Sequence, residues 1–449
     1  MTRARRELKA LLRLSGPLIL GFLGSQVLGI VDTAMVGRLG EVPLAAVAAA
    51  NGLFFAITCF GIGVLLGADP LLSQAIGAQE GKRVEAVRKA TLRLSLILTV
   101  PLTALVALVP WILGLFGVDA HTQREAGWFL LGRGASVLPL LLFSAFRGYL
   151  QARTSTRSII IASIVGNVVN LFFNTAFIFG DRTLVAIGLP ALGLPSLGVF
   201  GSGLASTLAT VAMLFVLWRA QRSLEPLSGE GDDARALEAL IKLGLPLGLT
   251  LVAEVGAFAL VGVLAAKLGP SAASGHQVAL TLASSTFIVT LAIGSATTVR
   301  VGQAVGRRDS NQARLTGLLG QLASAAFMCC TATTFILFAP ELARLLSNKP
   351  EVIEASIPLL HIAAVFQIFD GAQAVGAGAL RGIGDTKFVQ IANIVGYYAI
   401  GLPVALLLAF LAGKAERGLW WGLTAGLVFV ATMLFGRFWV LSRRPIERV

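Results

Sequence analysis

Apolar stretches of about 20 residues with few charges recur along the whole chain, and each is long enough to cross the hydrocarbon core of a bilayer as a helix. Only 13% of the 449 residues are charged, whereas 56% are hydrophobic. Soluble domains usually carry about a quarter charged residues, so this composition fits lipid as the solvent and not water. The chain is therefore predicted to be an all-α polytopic membrane protein.

Twelve transmembrane helices are predicted, because a helix that spans the bilayer needs a long continuous apolar run. The N-terminal run continues to about Gly37 without a cleavage site, so it is interpreted as the first retained helix and not as a signal peptide. The predicted spans lie near residues 14–38, 44–70, 90–116, 127–149, 158–180, 197–218, 240–268, 274–299, 315–340, 355–379, 387–411 and 418–439.

The distribution of basic residues predicts the orientation of these spans. If both termini are cytoplasmic, roughly three quarters of the 36 Lys and Arg residues fall on the cytoplasmic side, in agreement with the positive-inside rule. The formal charge of +13 is scattered between apolar segments and is not gathered on one folded face. No nucleic-acid partner is therefore expected.

The second half of the chain repeats the first at an offset of about 229 residues. Pro17 matches Pro246, and the segment 74–77 matches 303–306. A repeat of six helices keeps its orientation in the membrane, which predicts two pseudo-symmetric six-helix bundles with a cavity between them. The predicted organisation is an N-terminal bundle over 1–218, a cytoplasmic linker over 219–239 and a C-terminal bundle over 240–449.

Four carboxylates lie within or at the ends of the apolar stretches, where a charge is costly. They are Asp32, Asp69, Glu254 and Asp370. A charge at the centre of a membrane helix costs about 2.5 to 3.5 kcal/mol on insertion scales, so such a residue needs a cavity, a partner or a proton. These residues are the first candidates for function.

Asp32 in the first helix is predicted to share one site with Asn170 and Asn174 in the fifth helix. The two asparagines lie on one helix face, and all three residues lie at a similar depth from the outer boundary. A carboxylate with amide oxygens suits a proton or a hard cation such as Na⁺. The alternative is a purely structural clamp that hydrogen-bonds the two helices.

Glu254 in the seventh helix and Asp370 in the tenth are predicted to face one cavity near the midplane, because their depths agree. Two neighbouring carboxylates in a low dielectric cannot both stay ionised cheaply, so one takes a proton or a cation such as Na⁺ lies between them. This pair is expected to couple ion and substrate binding. The alternative is that each carboxylate hydrogen-bonds a neighbouring helix separately.

Further polar residues, Asp69, Gln277, Gln367 and Gln373, are candidates for the cavity lining, although glutamines in membranes often join helices instead. The sequence contains no GxxxxGK[ST] or HExxH motif, so neither an enzyme nor ATP-driven transport is predicted. We expect no catalytic residues and no cofactor beyond a coupling ion, Na⁺ or H⁺, which supplies energy from a gradient.

Four motifs give the chain a resemblance to the multidrug and toxic compound extrusion (MATE) family over essentially its whole length. They are VDTAMVG at 31–37, SQAIGA at 73–78, GNVVN at 166–170 and LRGIGDT at 380–386. Together Glu254 and Asp370 look like the NorM branch of that family. The resemblance implies the MATE fold, a V-shaped pair of bundles, and export of cationic or amphipathic compounds in exchange for Na⁺ or H⁺.

The resemblance also implies a cation site at Asp32, Asn170 and Asn174. This sequence differs from many relatives, which carry aspartate where it has Asn174. Phe366, one helical turn before Asp370, occupies a position that is often tyrosine in NorM-like relatives, and it is a further candidate for the cavity lining. The pair of Glu254 and Asp370 is therefore predicted to be the main coupling site.

Two other functions remain open at this stage. A flippase for a lipid-linked oligosaccharide would need a cationic cavity for pyrophosphate, whereas a passive channel would need a selectivity filter or a ring of charges. For the transporter we expect small-molecule drugs or metabolites and membrane lipid as partners, a monomer, and a bacterial inner membrane (plasma membrane) with both termini cytoplasmic.

Overall fold

The computed structural model describes residues 3–181, 193, 195–224 and 232–449. Over these residues the chain is helical between short turns. Part of the predicted linker, 225–231, lies outside the described residues. The helices are α1 Arg3–Gly37, α2 Glu41–Leu65, α3 Ala68–Gly77, α4 Gly81–Leu115, α5 Ala120–Gly134, α6 Val137–Ala152, α7 Arg157–Phe179, α8 Gly198–Arg222, α9 Asp233–Lys267, α10 Pro270–Gly306, α11 Ser310–Leu337, α12 Ala339–Leu346, α13 Pro350–Ile383, α14 Thr386–Leu411 and α15 Ala415–Leu441.

Eleven helical stretches of the described chain are long and apolar enough to cross a membrane, and the bent pair α5 and α6 brings the number to twelve. No strand occurs among the described residues. The prediction of an all-α polytopic membrane protein is therefore confirmed.

The prediction of one continuous fourth helix over 127–149 is wrong, because α5 and α6 meet at an angle of 46°. Pro139 lies in the first turn of α6. Its ring has no N–H and would clash with the carbonyl four residues earlier, at Ala135, so the helix breaks there.

Side-chain hydroxyls replace the backbone hydrogen bonds lost at this break. Ser136 Oγ donates to the Arg133 carbonyl at 2.6 Å, and Thr207 Oγ1 on α8 donates to the Gly132 carbonyl at 2.7 Å. A broken helix in a membrane requires such replacements, because lipid offers no hydrogen bonds.

The second predicted helix, 44–70, ends earlier than expected. The helix α2 ends at Leu65, and α3 begins at Ala68 after a short turn. Pro70 in the first turn of α3 opposes the carbonyl of Leu66 in the same way that Pro139 opposes Ala135.

The contacts divide the chain into two units, which are described separately. The N-terminal unit contains Pro17–Ala68 and Gly81–Leu240, and the C-terminal unit contains Met1–Gly16, Asp69–Glu80 and Ile241–Val449. The start of α1 and most of α3 thus pack with helices from the second half of the sequence.

Glycine allows helices in the N-terminal unit to pack with their backbones in contact. A Cβ atom at Gly24 in α1 would clash with Ser163 in α7, and one at Gly203 in α8 would clash with the Phe129 carbonyl in α5. Close approach of this kind is typical of membrane helices, where dispersion and hydrogen bonds replace the hydrophobic effect. It brings α1, α7 and α8 close enough for their polar side chains to meet.

In the C-terminal unit, α10 and α13 pack along their length in the same manner. A Cβ atom at Gly378 would clash with the Gly294 carbonyl. The Thr298 hydroxyl donates to the Gly378 carbonyl at 2.8 Å and so bridges the two helices.

A buried ion pair fixes the start of α1 within the C-terminal unit. Glu7, only 5% exposed, accepts from Arg300 Nε on α10 at 2.9 Å and from the Thr316 hydroxyl on α11 at 2.9 Å. At the rim of the unit, Arg3 pairs with Asp309 at 2.5 Å. These bonds explain why residues before Gly16 belong to this unit.

Replacing Glu7 or Arg300 with Gln is expected to lower the melting temperature of the detergent-solubilised protein by several degrees. Breaking a fully buried pair costs about 3–5 kcal/mol, and less is expected here because the Arg300 side chain is 21% exposed. Each kcal/mol corresponds to about 2–4 °C. The double variant should melt no lower than the less stable single variant. Additive losses would contradict the pairing, and Glu447→Gln, which changes an exposed carboxylate, is the control.

Candidate functional site

Asp32 on α1 lies within a buried cage of hydrogen-bond donors in the N-terminal unit. Its Oδ1 accepts from Asn170 Nδ2 at 2.9 Å and from Asn174 Nδ2 at 2.7 Å, and its Oδ2 accepts from Ser206 Oγ at 2.5 Å. Asp32 is 6% exposed and the other three residues are fully buried. The structure thus brings together the three residues predicted for this site and adds Ser206.

The helix period of α7 explains this arrangement. Asn167, Asn170 and Asn174 repeat at spacings of three and four, so they share one face. Asn167 Nδ2 donates to the Gly24 carbonyl at 2.8 Å, which fixes α7 against α1 about two turns from Asp32. Asn167 thus joins the two helices by a structural hydrogen bond next to the cage.

Both amide oxygens of the cage, Asn170 Oδ1 and Asn174 Oδ1, are buried and have no hydrogen-bond partner among the described residues. A buried acceptor without a partner costs about 1–3 kcal/mol. Rotation of each amide by half a turn would direct these oxygens towards the carboxylate. The cage can therefore bind an ionised Asp32 through N–H groups, or a proton or cation through oxygens.

Arg133, at the end of α5, is a cationic side chain near Asp32. It interacts electrostatically with Asp32, and its guanidinium lies 4.9 Å from the centroid of the Phe54 ring. Its Nε and Nη1 are buried without hydrogen-bond partners in the described part of the chain. The helix break before α6 places this cation at membrane depth, where it offsets the charge of Asp32.

Glu254 on α9 and Asp370 on α13 form the second candidate site, in the C-terminal unit. They are close enough to interact electrostatically. Asp370 is 6% exposed and forms no hydrogen bond among the described residues, whereas Glu254 is half-buried. Two like charges in such surroundings favour a bound proton or cation.

Tyr397 on α14 is a third member of this site. Its hydroxyl interacts electrostatically with Glu254 and Asp370, is fully buried and forms no hydrogen bond of normal geometry among the described residues. It lies in the π-helical segment Val395–Gly401, which precedes Pro403. Pro403 has no N–H to donate to the Ala399 carbonyl, so the local hydrogen bonds change from the α-helical to the π-helical pattern.

Arg381 on α13 and Asp69 on α3 complete the charges near this site. The buried guanidinium of Arg381 interacts electrostatically with both Glu254 and Asp69. Asp69, predicted only as a cavity-lining residue, thus interacts with the same arginine as Glu254. The net charge of the four groups is negative when all are ionised.

The other residues predicted to line a cavity either contact neighbouring helices or lie on the surface. Phe366 is 1% exposed and packs against Phe258 and Trp420, with ring centroids 6.1 and 5.3 Å away, so its prediction as a lining residue is corrected. A phenyl ring without a polar atom fills this aromatic core well.

The glutamines divide between helix contacts and the surface. Gln367 accepts from Thr286 at 3.0 Å and Thr331 at 2.9 Å, and Gln373 donates to Asn393 at 3.0 Å. Both are buried and join helices, so the alternative considered for them describes their contacts better than the cavity lining does. Gln277 is exposed on α10.

Sequence reasoning missed Ser206, Arg133 and Tyr397, each for a different reason. Membrane helices contain many serines, so Ser206 carries no signal without its neighbours. Arg133 and Tyr397 are polar groups in apolar stretches, and a search for every charge and hydroxyl, instead of carboxylates alone, would have found them.

Comparison with known proteins identifies relatives of the whole chain. The sequence profile of the MatE family matches residues 17–176 and 246–407, so the two matches start at the same offset as the internal repeat. The probable multidrug resistance protein NorM of Deinococcus radiodurans is 35% identical, with 97% of this chain and 96% of the relative covered. The multidrug resistance protein NorM of Burkholderia vietnamiensis is 34% identical, with 95% and 92% covered.

Solved structures confirm the fold. The eukaryotic MATE transporter AtDTX14 superposes with a TM-score of 0.86 at 23% identity and covers 98% of this chain and 96% of its own. A MATE structure in a bent conformation gives a TM-score of 0.87 at 20% identity, with 99% and 98% covered.

The serines of α8 provide a matched test of the cage around Asp32. Ser206→Ala removes a donor to a buried carboxylate and should cost roughly 1.5–3 kcal/mol of stability, visible as a lower melting temperature in detergent. Ser202 lies one turn away, is equally buried and has no hydrogen-bond partner in the described chain. Ser202→Ala should therefore change stability little, and equal losses in the two variants would contradict the cage.

Proposed function

The chain belongs to the multidrug and toxic compound extrusion (MATE) family, and on that premise we propose that it exports cationic or amphipathic small molecules in exchange for Na⁺ or H⁺. The single observation that carries the exchange is the electrostatic pair of Glu254 and Asp370 in the C-terminal unit. The NorM proteins of Deinococcus radiodurans and Burkholderia vietnamiensis, named for multidrug resistance, support the drug-like substrate class.

Competition for one negative site is the physical basis of the exchange. Asp69 and Glu254 interact with the positive charge of Arg381, and Asp370 interacts with Glu254, so this excess of carboxylates attracts a further cation. A proton, a sodium ion or the amine of a substrate can supply that charge, but two of them together would repel each other. Binding of the coupling ion therefore weakens substrate binding, and the reverse holds by linkage.

Asp32 is proposed as a second cation site of lower affinity. Arg133 and three hydrogen-bond donors already stabilise its ionised form, so an additional cation gains less there than at Glu254 and Asp370. If Na⁺ or a proton does bind, Asn170 and Asn174 can rotate their amides and present oxygens.

The energy for export is proposed to come from the ion gradient across a bacterial inner membrane, with both termini of the chain in the cytoplasm. One charge that crosses 100 mV gains about 2.3 kcal/mol, which adds to the concentration gradient of the ion. The absence of a nucleotide-binding motif in the sequence agrees with this source.

A flippase for a lipid-linked oligosaccharide is the less favoured alternative. Pyrophosphate would need cationic side chains, whereas the second candidate site contains three carboxylates and one arginine. A passive channel would show flux that does not depend on a gradient of the coupling ion, and the experiment below separates it from an antiporter.

Efflux of a fluorescent cationic dye from proteoliposomes, under an imposed Na⁺ gradient and separately a pH gradient, tests the proposal. Wild-type protein should expel dye under at least one gradient, and the effective gradient identifies the ion. Glu254→Gln and Asp370→Asn should each reduce gradient-driven efflux at least tenfold, because each removes a negative charge from the coupling site.

The control variant is Glu351→Gln, which neutralises an exposed carboxylate in the first turn of the same helix that carries Asp370. It should retain efflux. Full gradient-driven efflux in a variant that lacks both Glu254 and Asp370 carboxylates would contradict the proposed site. Efflux that does not respond to either gradient would favour a channel, and no dye flux at all would favour the flippase.

A further inference from the structure

A basic pocket of about 780 Å³ opens on the surface of the C-terminal unit where α11 begins and α15 ends. Four arginines contribute to its lining, and Asp309 is the acidic residue among the lining residues. The arginines are Arg308, Arg314, Arg443 and Arg444. The pocket is remote in sequence from Asp32, Glu254 and Asp370, and neither candidate site uses its residues.

The positive charge of this pocket is not neutralised by the described part of the chain. Asp309 is already paired with Arg3 at 2.5 Å, and its other oxygen caps α11 by accepting from the Gln312 amide. None of the four arginines forms an ion pair among the described residues. A pocket with this excess of guanidinium groups is suited to an anion.

Two of these arginines contact the indole ring of Trp439 on α15. The guanidinium carbons of Arg314 and Arg443 lie 4.4 and 4.6 Å from the centroid of the same indole ring. The two charges are therefore within about one Debye length of each other and repel. A cation–π contact offsets part of that repulsion, and a bound phosphate that accepts hydrogen bonds from the guanidiniums would offset more.

Phe435 lies one helical turn before Trp439 on α15, and the two rings form an apolar surface beside the arginines of the pocket. Phe435 stacks on Trp439 with ring centroids 6.1 Å apart and is 40% exposed. In a membrane-spanning helix these exposed side chains face lipid, and a tryptophan next to arginines is typical of the level of the head groups.

We propose that this pocket binds the phosphate head group of an anionic phospholipid. Arg314 and Arg443 hold the phosphate, Arg308 and Arg444 add positive charge, and an acyl chain lies along Trp439 and Phe435. The combination of an unneutralised basic pocket with an adjacent exposed apolar stripe fits an amphiphile, whereas a free phosphate would leave the stripe without a role.

Quenching of tryptophan fluorescence by brominated lipids tests the lipid site. The full-length protein is reconstituted in phosphatidylcholine vesicles that contain a small fraction of either brominated phosphatidylglycerol or brominated phosphatidylcholine. The anionic lipid should quench more strongly, and this excess should vanish in Trp439→Phe, which keeps an aromatic ring but removes the indole. Arg314→Gln and Arg443→Gln should each require about fivefold more phosphatidylglycerol for half of the excess, as one fewer cation predicts.

Two controls separate a site from general attraction and from free anion. Arg307→Gln removes one cation from the same surface without touching the pocket lining, and it should leave the excess quenching unchanged. Inorganic phosphate should not abolish the excess, and if it does, the pocket binds free anions and not lipid. Equal quenching by both lipids, an excess that persists in Trp439→Phe, or equal effects of Arg307→Gln and Arg314→Gln would also overturn the proposal.

Discussion

The inability of the bilayer interior to solvate a charge or an open backbone hydrogen bond determines most of this structure. The break between α5 and α6 needs hydroxyls from Ser136 and Thr207, and the end of that break brings Arg133 near Asp32. In the C-terminal unit, Glu7 reaches Arg300 for the same reason. Asp32 likewise accepts hydrogen bonds from partners within its own unit.

The two candidate sites use this constraint differently. Asp32 is surrounded by hydrogen-bond donors and lies near Arg133, so its own unit already supplies partners for the carboxylate. Glu254 and Asp370 interact with each other, and the arginine that interacts with Glu254 also interacts with Asp69. An exchanged cation binds where the protein's own side chains do not fully neutralise the negative charge. That difference is why the exchange is assigned to the C-terminal unit.

Much of the fold and half of the site follow from the sequence, because apolar length and helix period are local properties. The spacing of Asn170 and Asn174 was enough to predict their contact with Asp32, and the common depth of Glu254 and Asp370 predicted their interaction. The features of the fold that the sequence did not predict depend on contacts between distant segments, such as the packing of α3 with the C-terminal unit. The break in the predicted fourth helix is a local feature, because Pro139 in the sequence is enough to indicate it.

Displacement of a bound cation by substrate tests the central claim most directly. A cationic substrate is added to detergent-solubilised protein in weak buffer, and released protons and radiolabelled sodium are measured in parallel. Release of about one cation per bound substrate is predicted for the wild type and for Asp32→Asn, with no release from the double variant that lacks the Glu254 and Asp370 carboxylates. Undiminished release from that double variant, or loss of release in Asp32→Asn alone, would contradict the assignment.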